Sequence, residues 1–182
     1  MKKYFLLFLA VCALCSLQCR KDKIPPATQE GKNTLGFTLD GQVWVPYAEC
    51  GTFSDPCREI SADYSSPSAA PDAIDFQFTR VNGNKSSTLT ISSSGIGTIT
   101  TPGEKIDSIG IVFSGENSSG NNGRYGGPLS GSKFIIIKID KQNQIISGEF
   151  EFVLLEQNGS GNTITLKDGR FDFKFNACRC SN

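Results

Sequence analysis

Near the C-terminal end of the chain, apolar and polar residues alternate strictly. Ile146, Gly148, Phe150, Phe152 and Leu154 fall on one side of an extended backbone, and Ser147, Glu149 and Glu151 on the other. Successive side chains of a strand point to opposite faces, so this stretch predicts a strand with one dry face. The polar, glycine-rich run 157–161 turns the chain. It returns with Ile164 and Leu166 and then, after Asp168-Gly169, with Phe171, Phe173 and Phe175. The apolar parity flips at that Asp-Gly. Either a bulge resets the alternation or a two-residue turn divides the stretch into two short strands. Only an uninterrupted return matches the length of the outgoing strand, which favours the bulge.

The same logic runs through the rest of the chain. Residues 35–39 and 42–45 flank Asp40-Gly41, a strong short hairpin signal, and two-residue register sets Phe37 opposite Trp44. Trp44 reads as a core plug before it reads as a ligand platform. Residues 60–64 predict a short strand. Ile74, Phe76 and Phe78 alternate with Asp75, Gln77 and Thr79 in a half-buried one, which Asn82-Gly83-Asn84 turns into a strand over 87–92. Short strands follow at 96–100 and 105–114. Residues 115–131 are glycine-rich and almost free of apolar side chains, which predicts a long loop. Residues 134–139 are apolar except for Lys138 and predict a strand buried on both faces. No amphipathic helical period occurs anywhere. The pattern predicts an all-β fold: an antiparallel β-sandwich, with an up-and-down, lipocalin-like β-barrel as the alternative.

The N-terminus changes the picture. Lys2 and Lys3 precede an apolar run at residues 4–17, too short to serve comfortably as a membrane span. This is an export signal, to be set aside from the fold together with its Cys12-x-x-Cys15 pair. Ser16-Leu17-Gln18-Cys19 resembles the looser lipoprotein signals of the Bacteroidota, in which the cysteine is acylated and becomes the first mature residue. Ser16 and Gln18 depart from the usual pattern, and cleavage after Cys15 would instead release a soluble protein. The expected organisation is a signal peptide at 1–18, acylated Cys19 and a flexible tether at 19–33, and a single β domain at 34–182. The expected location is the cell envelope, lipid-anchored to the outer membrane. The whole chain carries 18 basic and 18 acidic residues. Loss of Lys2 and Lys3 leaves the mature chain slightly acidic, with no basic stripe for nucleic acid.

The segments LDGQVW, ISGEFEF and ITLKDGRFDFKF are similar to those of an uncharacterised family of small Bacteroidota lipoproteins that carry a domain of unknown function. The resemblance covers roughly residues 35–175. It implies an all-β lipoprotein and supplies no catalytic residues.

Beyond Cys19, the mature chain has Cys50, Cys57, Cys178 and Cys180. An exported protein can form disulfides. Joining Cys178 to Cys180 would close too tight a ring, so the two remaining connectivities both tie the C-terminal end to the Cys50–Cys57 loop. A four-thiolate zinc site does not fit the C-x6-C and C-x-C spacings, so no metal or other cofactor is expected. The chain contains no histidine, which removes Ser-His-Asp, Cys-His and histidine acid–base chemistry together. Ser130-Gly-Ser-Lys133 fits S-x-x-K by chance. Glu149 and Glu151 are the closest carboxylate pair, on the solvent face of one strand. Asp40, Asp168 and Asp172 read as turn residues. Asp107-Ser108-Ile109 resembles a short O-glycosylation signal at Ser108. These readings predict no catalytic residue and a binding or accessory module for a glycan or an envelope protein. Tyr125 and Arg124 in the glycine loop are the candidate contacts. A structural envelope protein without a small ligand, and a carboxylate-based glycoside hydrolase, are the alternatives.

Overall fold

The computed structural model describes residues 23–47, 60–65, 72–82, 85–96, 109–117 and 119–177. Among the described residues there are strands and no helix. The strands are β1 (Thr34–Leu39), β2 (Gln42–Trp44), β3 (Ile60–Ser65), β4 (Asp72–Asn82), β5 (Lys85–Ile96), β6 (Gly110–Glu116), β7 (Asn122–Pro128), β8 (Lys133–Asp140), β9 (Ile145–Glu156), β10 (Thr163–Lys174) and β11 (Asn176–Ala177). They form one 11-stranded sheet in the order β11-β3-β4-β5-β6-β7-β9-β10-β1-β2, with β8 paired to β9. β7 and β8 share one edge of β9: β7 takes Leu154, Leu155 and Glu156, and β8 takes residues 145–151. All strand pairs are antiparallel except β11 on β3.

The sheet curls until its halves face each other, and the aromatic rings show where they meet. Phe76 of β4 lies 5.5 Å from Phe171 and from Phe173 of β10. Phe78 stacks on Phe173 at 5.2 Å. Tyr64 of β3 meets Phe175 at 4.9 Å, and Trp44 of β2 meets Phe113 of β6 edge-on at 6.4 Å. Tyr47, just past β2, forms a parallel bridge with Arg80 of β4, and β11 extends β10 onto β3. The two ends of the path are thereby drawn together. The fold is all-β as the pattern predicts, with the two facing layers continuous as one curled antiparallel sheet.

Local sequence explains the register. Asp40 and Gly41 adopt φ of 46° and 86°, the left-handed pair that a type I′ hairpin turn requires. They set Leu39 against Gln42 and Phe37 against Trp44, whose rings stack at 4.7 Å. β10 is a single strand, and a bulge shifts its register against β9 between Leu166 and Gly169. The bulge residue Asp168 has φ 53°. This extra residue is why Ile164 and Leu166 on one side of it and Phe171 and Phe173 on the other all reach the core, where each is at most 3% exposed.

Gly169 lies beneath the ring of Phe150, its cross-strand partner on β9. A Cβ at this position would overlap the ring atoms. Gly169→Ala is therefore expected to destabilise the domain by about 1–3 kcal/mol through overpacking. A urea titration of the variant checks this; an unchanged midpoint would show that the ring gives way freely.

Five expectations are corrected. Residues 115–131 are not one loop: they contain β7, which pairs with β6 and β9. Its sequence, NGRYGGP, carries a single large apolar side chain, so hydrophobic alternation could not reveal it. β5 runs on without a break to Ile96, where a new strand was expected to start. Residues 24–33, expected as a flexible tether, lie across the outer face of the sheet, and the buried carboxylate they cover is Asp172 of β10. Asp172 is a mid-strand residue, not a turn residue. β8 is buried on its inner face through Phe134 and Ile136, while Ile135 and Ile137 on the outer face are only half-buried.

Candidate functional site

Three hairpin ends meet at one end of the curled sheet: β1–β2, β4–β5 and β6–β7. Between them lies a groove of about 510 Å³. Its floor is Trp44, 4% exposed, whose indole N–H donates to Ser87 Oγ at 3.0 Å. Ser87 is itself buried on β5. Trp44 is thus held by Phe37, Phe113 and Ser87 and presents little ring surface to the groove. It acts as a core plug with one edge at the site.

The walls are polar. Arg80 of β4 donates from Nη1 to the carbonyl of Val43 at 3.3 Å, which ties the exit of β2 to β4. Lys85, at the start of β5, reaches across to Glu116 at the end of β6, with Nζ 2.7 Å from Oε1. Lys85 is 70% exposed and Glu116 25%, so the pair is a surface bridge of small energetic weight. It sets one cation and one carboxylate side by side at the rim. Glu116 is the only carboxylate among the described residues that line the groove.

Asn117 builds the third wall. Its Oδ1 accepts from the amides of Ser119 at 3.0 Å and Asn121 at 2.9 Å, closing a side-chain turn of the kind asparagine favours. Its Nδ2 donates to the hydroxyl of Tyr125 at 3.2 Å. Tyr125 therefore serves the site from behind. It is 2% exposed, with its ring in the core and its hydroxyl bracing the loop that borders the groove.

This placement corrects the expected role of Tyr125 as an exposed aromatic. Alternation along β7 turns Tyr125 inward and Arg124 outward. Arg124 is exposed, and its Nε donates to Gln157 Oε1 at 2.9 Å. The two expected contacts thus sit on opposite faces of one strand and form no joint site.

The other expected residues fall elsewhere. Glu149 and Glu151 both lie on the outer face of β9, and Glu151 pairs with Lys133 at 3.1 Å. Asp40 accepts the amide of Thr165 at 2.7 Å and fastens the first hairpin to β10. Cys19, Cys50, Cys57, Cys178, Cys180 and Ser108 lie outside the described residues, as do the expected disulfides.

Sequence reasoning missed Arg80, Lys85 and Glu116 as neighbours. No local signal joins them, because each comes from a different strand: the pairing of β4, β5 and β6 sets them side by side, and the curl of the sheet adds the β1–β2 side of the groove. It also missed Asp172. This carboxylate is 1% exposed and accepts from Thr28 Oγ1, from the Gly31 amide at 2.7 Å, from the Glu30 amide at 3.0 Å and from the Lys32 amide at 3.3 Å. Burial alone would push its pKa up. The Thr28 hydroxyl and the Gly31, Glu30 and Lys32 amides outweigh that and hold the carboxyl below its ordinary value. Four donors fill its acceptor capacity, so it is a structural pin and not a vacant ligand site.

No family model, curated protein or solved structure matches the chain.

Proposed function

We propose that the chain is a non-catalytic lipoprotein of the cell envelope, anchored to the outer membrane through acylated Cys19, whose β domain binds a hydroxyl-rich ligand such as a glycan. The observation that carries the reading is the groove between the three hairpin ends. Among the described residues it offers donors in Arg80, Lys85 and Asn117, acceptors in Glu116 and the serine hydroxyls, and the edge of one aromatic ring. Such a lining favours a ligand that presents many hydroxyl groups over an apolar one. The membrane part of the reading is supported by the signal-like N-terminus ending at Cys19. A role in binding, rather than glycoside hydrolysis, is supported by the lining: two carboxylates flanking a bond are the usual requirement, and among the described residues that line the groove Glu116 is the one carboxylate. Glu149 and Glu151 share an outer strand face, and Glu151 is turned to Lys133.

An oligosaccharide array probed with the chain from residue 20 onward tests this. Residues 24–33 must be kept because they pack on the sheet. Array hits are expected to weaken about tenfold or more in Lys85→Ala and Glu116→Gln, the loss of one hydrogen bond to a charged group. Hits that bind both variants as well as the parent, or an array without hits, would overturn the assignment of the groove.

A further inference from the structure

The segment before β1 is laid down on the sheet with more contacts than a spacer needs. Pro25 crosses Gly36 of β1 so closely that a Cβ there would lie 2.5 Å from its Cδ and 3.3 Å from Ile24 Cα. The chain then passes over β10, where Thr28, Glu30, Gly31 and Lys32 donate to buried Asp172. At Gln29 it reaches β8, whose Lys138 Nζ donates to the Gln29 carbonyl at 3.0 Å. It returns to β1 through Gly31 and Asn33, with φ of 71° and 55°. Asn33 Oδ1 accepts the amide of Lys174 at 2.9 Å. Ordering ten residues costs on the order of 10 kcal/mol in backbone entropy. A segment needed only for reach would stay free, as polar linkers do.

We propose that residues 24–33 are a mount, which holds the domain at short range from the lipid surface. The proposal rests on the lipoprotein reading above. From Cys19 to Ile24 the chain reaches at most ~18 Å when fully extended. Ile24 sits over Gly36, and the groove begins at Leu39, ~10 Å further along β1. The groove is therefore kept within roughly 30 Å of the acyl chain. A free stretch from Cys19 to Asn33 would reach ~50 Å and let the domain turn in any direction. Whatever the groove binds is therefore met close to the bilayer surface.

The chain has a single tryptophan, Trp44, and it lies on the groove floor. Full-length protein extracted from membranes and returned to vesicles containing a dansyl-headgroup phospholipid reads its distance by energy transfer. Strong transfer is expected from the parent. Most of it is expected to be lost in Asp172→Asn, which frees the strap. Hydrogen exchange on the parent gives a second reading that needs no variant: the amides of Glu30, Gly31 and Lys32 are expected to exchange slowly. Exchange at the rate of a free peptide, or equal transfer in a folded Asp172→Asn, would overturn the mount alone. Absence of an acyl group on Cys19 by mass spectrometry would overturn the mount together with the lipoprotein reading.

Discussion

Phe173→Ala is expected to cost about 3–5 kcal/mol, the usual loss for a large buried ring, and so a large part of the stability of a domain this size. Phe173 is 0% exposed. Its ring contacts Phe171 of its own strand at 5.3 Å, and Phe76 and Phe78 of the facing β4 at 5.5 and 5.2 Å. It therefore belongs to both halves of the curled sheet. The cavity left by truncation is bordered by rings from two layers, and neither layer can move toward the other without disturbing the sheet that joins them. Relaxation is thus limited, which puts the cost toward the upper end. Urea unfolding followed by Trp44 emission measures the loss, because Trp44 bridges the same two halves through Phe113. A loss below about 2 kcal/mol would mean that the halves collapse onto the gap and that the facing arrangement is looser than the ring geometry requires.

The parts of this fold legible in the sequence are those written in side-chain period and turn chemistry. The alternation of Ile146, Phe150, Phe152 and Leu154 gave the dry face of β9, and all four are buried. Asp40-Gly41 gave the first hairpin and the pairing of Phe37 with Trp44. The parity flip at Asp168-Gly169 gave the bulge. What stayed hidden is written in other terms. β7 has too few apolar residues to show a period, and it exists because β6 and β9 supply partners for its backbone. Asp172 lies between Phe171 and Phe173, where a solvent-facing residue is expected. Nothing local distinguishes it from an exposed aspartate, because its partners are main-chain amides about 140 positions earlier in the chain. The groove was hidden for a related reason. Arg80, Lys85 and Glu116 are ordinary polar strand residues until β4, β5 and β6 pair, and the curl of the sheet then brings Val43 and Trp44 of β2 against them. Lining assembled from separate strands leaves no motif.

Asp172→Asn is expected to lose about 2–3 kcal/mol at neutral pH, the worth of hydrogen bonds to a buried charge. Asparagine keeps the shape of the side chain but replaces one acceptor oxygen with an amide group. That group points two donors into a nest built from the Gly31, Glu30 and Lys32 amides and the Thr28 hydroxyl, so like meets like. The loss has a predictable pH profile. The folded carboxyl is held below its ordinary value, while in the unfolded chain it titrates near ~3.9. Above that unfolded value both states are ionised and the full contribution is present. As pH falls through the folded value the native carboxylate takes up a proton and the contribution disappears. The parent is therefore expected to lose stability in acid below about pH 4, and the variant to lose less over the same range. Their urea midpoints, well separated at neutral pH, should converge in strong acid. A shallow residual slope is expected in the variant from Asp140, held low by the Asn143 side chain and amide, and from Glu156, held low by Ser160 and Asn162. A midpoint gap that stayed constant into strong acid would show that the loss came from shape and not from charge. Equal midpoints at neutral pH would mean that the strap adds nothing to the fold it covers.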